Sequence, residues 1–599
     1  MFALARQTAL RRAFSSGLGQ QHTRHYASSR RLGRTLALVG AGLGFTAFLV
    51  EHPTIHADSN LPQKPESRNS SSDSTSLRSL VRAYVVYSMC SFPTLVDAAP
   101  KLLKVLMGIP VVRNITETFV RVTFFDQFVG GDTAQGTLPL LSSFRAANKG
   151  VLFSYSIEVD ENEATSSNTS SKKKAQPVHK RCVDEMIRSI DVAADFEDSI
   201  VGQHARSGRR TWVAIKLTAL LPDAQSLIAL SSHILATRPQ HEPSIPFPGC
   251  PRPTDLNVLN TTADSKFLSE KDIASLRELY SDLRRISLRA QERGVKLLID
   301  AEYSWYQPAI DAMQLALMRE FNKIPSQGDK SGPIVQPLVY GTFQAYLRRT
   351  PLHLAQSYRD AQANNYALGV KLVRGAYHPH EVSAHEAARV HGKQDSLSIS
   401  PDALPPVWSS KNETDSCYNE CVKMVVGWVK DDVRSNSASA SSSTSKLSVG
   451  RWFYRKDDAK SSGLPNIGVL FGSHNGASVK LILSELLGNG LATSLGVENG
   501  EGEAVLKLED EVIERVTLAQ LYGMCDELTD YIVRRTSSNA PMVLNGRFSV
   551  CRAVPYGSLT ETMPYLSRRA IENKSVLGNG HAAEERRRAG REIWAKVFG

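Results

Sequence analysis

Short apolar runs rich in β-branched residues recur along the chain, each followed by a stretch with helical spacing. Eight can be read, at 151–157, 211–217, 295–299, 334–340, 368–373, 467–471, 517–521 and 548–554. A strand that is apolar at successive positions is buried on both faces, which is the condition of a parallel sheet covered by helices. Eight such units in series predict an α/β fold of the (β/α)8 barrel type. The alternative, a doubly wound open sheet, asks for fewer strands and a phosphate-binding glycine turn that this region lacks.

The polar stretches divide the rest. Residues 51–78, rich in Ser, Asn and Pro, read as a linker that cannot bury a core. Residues 79–145 read as a helical arm, 146–580 as the barrel, and 581–599 as a basic helical tail. Two low-complexity tracts, 161–176 and 434–446, are expected as surface insertions within the barrel rather than as domain boundaries.

Composition changes this picture little, but charge distribution changes it at the N-terminus. A hydrophobic share of 42% and a charged share of 22% over 599 residues are ordinary for a globular protein. The net charge of +11 gathers at the two chain ends, which argues against nucleic-acid binding, where one face of a folded domain carries the charge. Residues 1–50 contain no Asp or Glu but carry Arg6, Arg11, Arg12, Arg24, Arg30, Arg31 and Arg34 among Ser and Ala. That is the pattern of an organellar transit peptide, assigned here to 1–34.

Residues 35–50 follow as a charge-free run, short for a spanning helix and readable as a possible anchor. The run contains GAGLGF, which imitates a dinucleotide-binding turn, but the third glycine position is Phe45. The seven cysteines include no CxxC pair and suit a reducing compartment, so the sequons at Asn114, Asn168, Asn260, Asn412 and Asn573 read as chance matches.

Chemistry is expected at the C-terminal strand ends, which line the active site of a (β/α)8 barrel. Lys216 follows the second strand, Asp300 the third, and His474 the sixth; Lys371 lies within the fifth and Arg374 just beyond it. Charges gathered at one barrel rim are costly to bury unless they serve a site. The eighth unit adds YLSRRAIEN at 565–573. There Tyr565, Arg568 and Glu572 fall on one helix face, with Arg569 about 100° further round. Two guanidinium forks suit a carboxylate, which they can grip bidentately.

The stretches LLIDAE (297–302), YGTFQAYLRR (340–349), VKLVRGAY (370–377), SHN (473–475), QLYGM (520–524) and YLSRRAIEN (565–573) occur in the order seen in the proline dehydrogenases, and the chain resembles that family over roughly 120–578. The resemblance implies a distorted (β/α)8 TIM-type barrel that holds FAD non-covalently. It also implies oxidation of L-proline to Δ1-pyrroline-5-carboxylate, with electrons passed to quinone at the matrix side of the inner mitochondrial membrane.

Carried over residue by residue, it implies a carboxylate clamp of Arg568, Arg569 and Lys216, with Asp300, Tyr565 and Leu521 completing the substrate pocket. Gln344 and Lys371 would meet the flavin ring, with Ala301 and Val373 beside them. Arg374, Gly375, Ala376 and Tyr377 would run along the flavin's chain and phosphates, and Ser473, His474 and Asn475 would hold the adenosine half. Glu572 would orient the arginine helix.

Two positions depart from the family pattern: Lys371 stands where bacterial relatives carry Arg, and Ala553 where many carry Tyr. 4-Hydroxyproline is the alternative substrate. Two further readings stay open on residues alone. Lys216 could be a Schiff-base lysine. His378, His380, His385 and His391 with Glu381 and Glu386 invite a metal reading, although HExxH is absent and no metal site is expected.

Overall fold

The computed structural model describes residues 76–156, 176–324, 335–442, 465–536, 549–576 and 581–598, apart from short breaks at 204, 206, 239–244, 261–264, 392–395 and 499–502. The transit-peptide and anchor readings, most of the linker and 161–176 tracts, and residues 443–446 lie outside the described residues.

Eight parallel strands close into a barrel: β1 (Gly150–Tyr155), β2 (Thr211–Ile215), β3 (Lys296–Ile299), β4 (Val339–Gln344), β5 (Leu368–Val373), β6 (Ile467–Gly472), β9 (Val516–Leu521) and β10 (Ser549–Tyr556). Two more, β7 (Ala492–Glu498) and β8 (Ala504–Leu508), pair antiparallel outside it. Helices follow the barrel strands, so the expected (β/α)8 architecture is the one observed.

The period of two along a strand decides what faces the barrel axis. Leu152, Trp212, Ala214, Leu298, Tyr340, Leu470, Ala519 and Cys551 fill the interior as one apolar layer. Their neighbours, such as Val213, Leu297 and Val370, point outward and pack under the helices in the main core. Counting two residues onward from the inner layer reaches Ser154, Lys216, Asp300, Thr342, Gly472, Leu521 and Ala553. The barrel is thus closed by hydrophobic packing below, with polar Ser154, Lys216, Asp300 and Thr342 on one side of the layer immediately above and Gly472, Leu521 and Ala553 on the other.

The last barrel helix, Leu559–Val576, crosses the mouth. One face looks down on the strand ends, and the other packs on the Pro93–Met107 helix through Val96, Leu103, Leu566 and Ala570. The C-terminal helix, His581–Phe598, lies along the Leu77–Cys90 helix. Tyr87 of the latter anchors this layer by donating to the Gly523 carbonyl at 2.6 Å.

Three details differ from the sequence pattern. β4 begins at Val339 and runs to Gln344, several residues later than the predicted 334–340. Pro337 has no N–H for a ladder, and the strand's true end carries Thr342 and Gln344, polar because they face the site. The β7–β8 hairpin escaped the pattern, although Asn499-Gly500 between its strands is a hairpin signal. The Lys411–Ser442 helix extends into the 434–446 tract. Its earlier turns bury Tyr418, Val422, Val425 and Val429, and adding turns to a formed helix costs little.

Candidate active site

The strand parity described above opens a cavity of about 630 Å³ at the C-terminal end of the barrel, roofed by the Leu559–Val576 helix. Its size is that of a small-molecule or cofactor site. Every residue assigned from the sequence to the substrate pocket or the flavin site lines it. Lys216, Asp300, Ala301, Gln344, Lys371 and Val373 come from β2 to β5, and Arg374, Gly375, Ala376 and Tyr377 from the loop after β5. Ser473, His474 and Asn475 follow β6, Leu521 ends β9, and Tyr565, Arg568, Arg569 and Glu572 descend from the roof.

The charged groups fall into three sets. On the floor, Lys371 Nζ lies 2.6 Å from Asp300 Oδ1, so the cation of β5 pairs with the anion of β3 across β4. In the roof, Arg569 is buried and pairs with Glu572, while its guanidinium stacks 5.0 Å from the Tyr565 ring. Glu572 pairs with Arg569, three residues back, which is a neighbour on a helix as Arg568, four back, also is. Arg568 Nη1 donates to the Tyr377 hydroxyl at 3.1 Å, tying the roof to the loop after β5.

The third set lies between β5 and β6. The Arg374 guanidinium reaches Asp415 at 2.6 Å, Ser473 at 2.9 Å and Ser478 at 2.8 Å, and stacks on Tyr418. It therefore fixes the Ser473 hydroxyl, which accepts from the Asn475 N–H. Asn475 caps the Gly476–Gly488 helix by accepting from Ser478 N. His474 Nε2 accepts from the Leu521 N–H at 3.4 Å, which puts the ring proton on Nδ1.

Burial raises the Tyr565 phenol above its ordinary pKa, although Arg569 opposes the shift, so the hydroxyl stays neutral and able to donate. Three buried polar atoms facing this region have no hydrogen-bond partner among the described residues: Tyr565 Oη, Arg569 Nε and Gln344 Oε1. Buried polar atoms without partners are rare and costly, and they suit a polar ligand seated between roof and floor. Gly375, beside them in the loop after β5, sits at φ +120°. A Cβ there would fall 2.5 Å from the Tyr346 ring, so backbone alone fits.

Several residues of the rim are not expected there from the sequence, which reads Glu381 only as part of a possible metal cluster. Glu381, buried, accepts from Ser304 N at 2.7 Å, Ser304 Oγ at 2.5 Å and Tyr346 Oη at 3.4 Å, and burial pushes its carboxyl up to about 7. It links the loops after β3, β4 and β5. Glu302, also buried and raised by burial, holds Thr218 N and Oγ1 beside Lys216. Tyr87 and Glu585 bring the two chain ends into the cavity wall.

The histidines of the metal reading disperse: His378 reaches Trp408 O, His380 the Tyr303 hydroxyl and His385 Ala403 O. Glu381 is likewise engaged with Ser304.

Comparison with known proteins places this geometry in context. The model of the family described as "Proline dehydrogenase" matches residues 153–582. The chain is 26% identical over 515 residues to a protein of Arabidopsis thaliana named proline dehydrogenase 2, mitochondrial, covering 85% of each chain. It is 24% identical over 522 residues to hydroxyproline dehydrogenase of Xenopus laevis, covering 87% of each. Among solved structures, proline utilization A of Bdellovibrio bacteriovorus superposes with a TM-score of 0.51 at 16% identity. That match covers 84% of this chain and spans 40% of the longer protein, and it bears on the fold.

Proposed function

This chain belongs to the proline dehydrogenase family, and from that premise we propose that it oxidises L-proline to Δ1-pyrroline-5-carboxylate with FAD and passes the electrons to a membrane quinone. The observation that carries the reading is the placement of three cations, Lys216 on the barrel and Arg568 and Arg569 in the roof, around one cavity. A small carboxylate can accept from all three at once, which a neutral ligand of the same size cannot match.

The residues present fit FAD. Gln344 and the Lys371–Asp300 pair would meet its ring system. Arg374 and the backbone of Gly375 and Ala376 would meet its phosphate chain, and Ser473, His474 and Asn475 its adenosine. The buried Gln344 Oε1 that lacks a partner among the described residues supports this placement. When bound, the flavin supplies the two-electron acceptor for a hydride from the ring carbon next to nitrogen.

The protein's own part is orientation. Arg568, Arg569 and Lys216 hold the carboxylate, and Tyr565 donates its neutral hydroxyl beside them, so the pyrrolidine ring has one direction in which to lie. Nitrogen must be unprotonated for its lone pair to form the C=N bond as the hydride leaves. The cationic clamp favours that neutral amine, so activity rises with pH through the bound amine's titration. The proton then departs to water, with the Lys371–Asp300 pair holding the floor.

4-Hydroxyproline is a second reading, favoured by Ala553, which leaves the cavity wall at β10 without a bulky or polar side chain. A mitochondrial location is supported by the acid-free Arg-rich N-terminus and by the relatives named mitochondrial; the matrix side of the inner membrane belongs to the proposed quinone reading.

The test is direct. The protein is purified, its visible spectrum recorded, and the flavin band followed anaerobically with proline and with 4-hydroxyproline. Bleaching by proline at lower concentration supports the main reading, and preference for hydroxyproline selects the second. A colourless protein that takes up no FAD refutes both.

A further inference from the structure

The loop after β9 carries Leu521 and Met524, and both line the cavity. Arg569 Nη1 donates to Met524 Sδ at 3.9 Å, so this loop seats one guanidinium of the roof. The loop is itself held from outside the barrel. Between Leu521 and Met524, the Gly523 carbonyl accepts from the Tyr87 hydroxyl at 2.6 Å and from Gln127 Nε2 at 3.1 Å. Both donors belong to the helical arm, 436 and 396 residues away in sequence. Arg82 Nε donates to Gln127 Oε1 at 3.1 Å, which leaves that amide one orientation, its oxygen towards the arginine and its nitrogen towards the loop.

The packing around this carbonyl is close. Gly523 sits at φ +72°, and a Cβ there would run into the Gln127 carbonyl, so the arm's backbone lies directly on the loop. Phe125, Phe128 and Val129 of the arm share one apolar cluster with Met524 and Tyr565, and Leu521 packs against it. Gln127 follows a π-helical stretch, Arg121–Phe125, a departure from regular helix that is frequent at functional sites. Burial raises the Tyr87 phenol well above its ordinary pKa, so the hydroxyl stays protonated and able to donate.

We propose that Tyr87 and Gln127 are positioning residues of the carboxylate clamp: through the Gly523 carbonyl they fix the loop that holds Met524 against Arg569 and Leu521 at the cavity wall. The contacts run in series from Arg82 to Gln127, Gly523, Met524 and Arg569. Residues 522–525 alone connect β9 to the Asp526–Thr536 helix, so a shift at Gly523 passes directly to Met524. The barrel grips the same loop at the Met524 carbonyl, through Arg552 Nη1 at 3.3 Å. Losing the arm's donors therefore loosens the loop without releasing it.

The inference rests on the proline reading above for the ligand of the clamp. Its test uses the full-length protein with FAD and compares the parent with Tyr87→Phe, Gln127→Leu and the two combined. These changes keep side-chain volume and remove donors. The double variant is expected to raise KM for proline about tenfold, the scale of one buried carbonyl left without its donors. Its kcat should stay within roughly twofold and its flavin content should be unchanged, the signature of weakened ground-state binding. Each single variant leaves one donor on the carbonyl and should show a smaller rise in KM. Leu80→Ala, buried in the same arm helix but giving no hydrogen bond to the loop, should lower the thermal transition without raising KM. Amide exchange at residues 522–525, measured without substrate, should be faster in the double variant than in the parent.

An unchanged KM in all three variants overturns the proposal. So does a parallel fall of kcat and flavin content, or a Leu80→Ala protein with the same rise in KM, since either would mean general loosening of the arm. If proline does not reduce the parent, the catalytic reading falls and amide exchange decides alone. Faster exchange at 522–525 then leaves the arm as the element that positions this loop, and unchanged exchange overturns that as well.

Discussion

Lys371 Nζ and Asp300 Oδ1 are 2.6 Å apart, an ion pair bridging β5 and β3 over the intervening β4 at the floor of the cavity. Both side chains are largely shielded from water, so the pair is screened less than a surface bridge. Removing one partner strands the other. A double-mutant cycle with Lys371→Met and Asp300→Asn is expected to give a coupling of about 1–3 kcal/mol in kcat/KM. Each single change should cost nearly as much as both together. Additive losses would show that the two groups act independently.

The roof makes a second prediction. Arg568→Met should weaken proline binding by about 2–5 kcal/mol, the usual loss on truncating one partner of a buried charge contact. Arg569→Met should do at least as much and also lower stability, because it breaks the buried guanidinium's ion pair with Glu572. Arg569→Lys should rescue neither fully, since an ammonium lacks the planar fork. Titration of proline against the flavin band checks all three, and unchanged affinity in Arg568→Met would remove it from the clamp.

At Gly375 the backbone lies in the left-handed region and a Cβ would meet the Tyr346 ring. Gly375→Ala should therefore cost about 2 kcal/mol in strain and loosen flavin retention. Thermal unfolding and flavin stoichiometry measure the two effects. Adding Tyr346→Ala should recover part of the loss if the clash, rather than the backbone angle, dominates.

Glu381 gives stability a pH dependence. Burial holds its carboxyl near about 7 in the folded protein, above the usual carboxylate range of the unfolded chain. Its contribution is therefore complete below that range and is lost as pH rises towards 7, at up to about 1.4 kcal/mol per pH unit. Glu585 is raised to about 7 by burial as well and adds a slope of the same sign. Glu381→Gln should remove one of the two slopes, seen as a flatter plot of melting temperature against pH. A parent and variant with parallel plots would mean that Glu381 is already ionised when folded.

Much of this was legible in the chain itself. The apolar strand runs announced the barrel, because a parallel strand buried on both faces leaves a continuous hydrophobic trace. Lys216, Asp300, Lys371 and the 565–573 motif pointed to the barrel mouth, because strand ends and helix faces have fixed periods. The pattern failed where function began: β4 was placed too early because its end is polar Thr342 and Gln344.

Tertiary structure alone decided the partners. That Lys371 pairs with Asp300, that Glu572 turns to Arg569, and that Arg374 holds Ser473 depends on strand order and side-chain direction, which local spacing leaves open. Tyr87 and Glu585 enter the wall from opposite chain ends, and Glu381 joins three loops. The Lys371–Asp300, Arg374–Ser473 and Glu381–Ser304 contacts join positions 71, 99 and 77 residues apart. Periodicity reports which way a side chain faces on its own element, while only the closed barrel and its roof determine what it meets there.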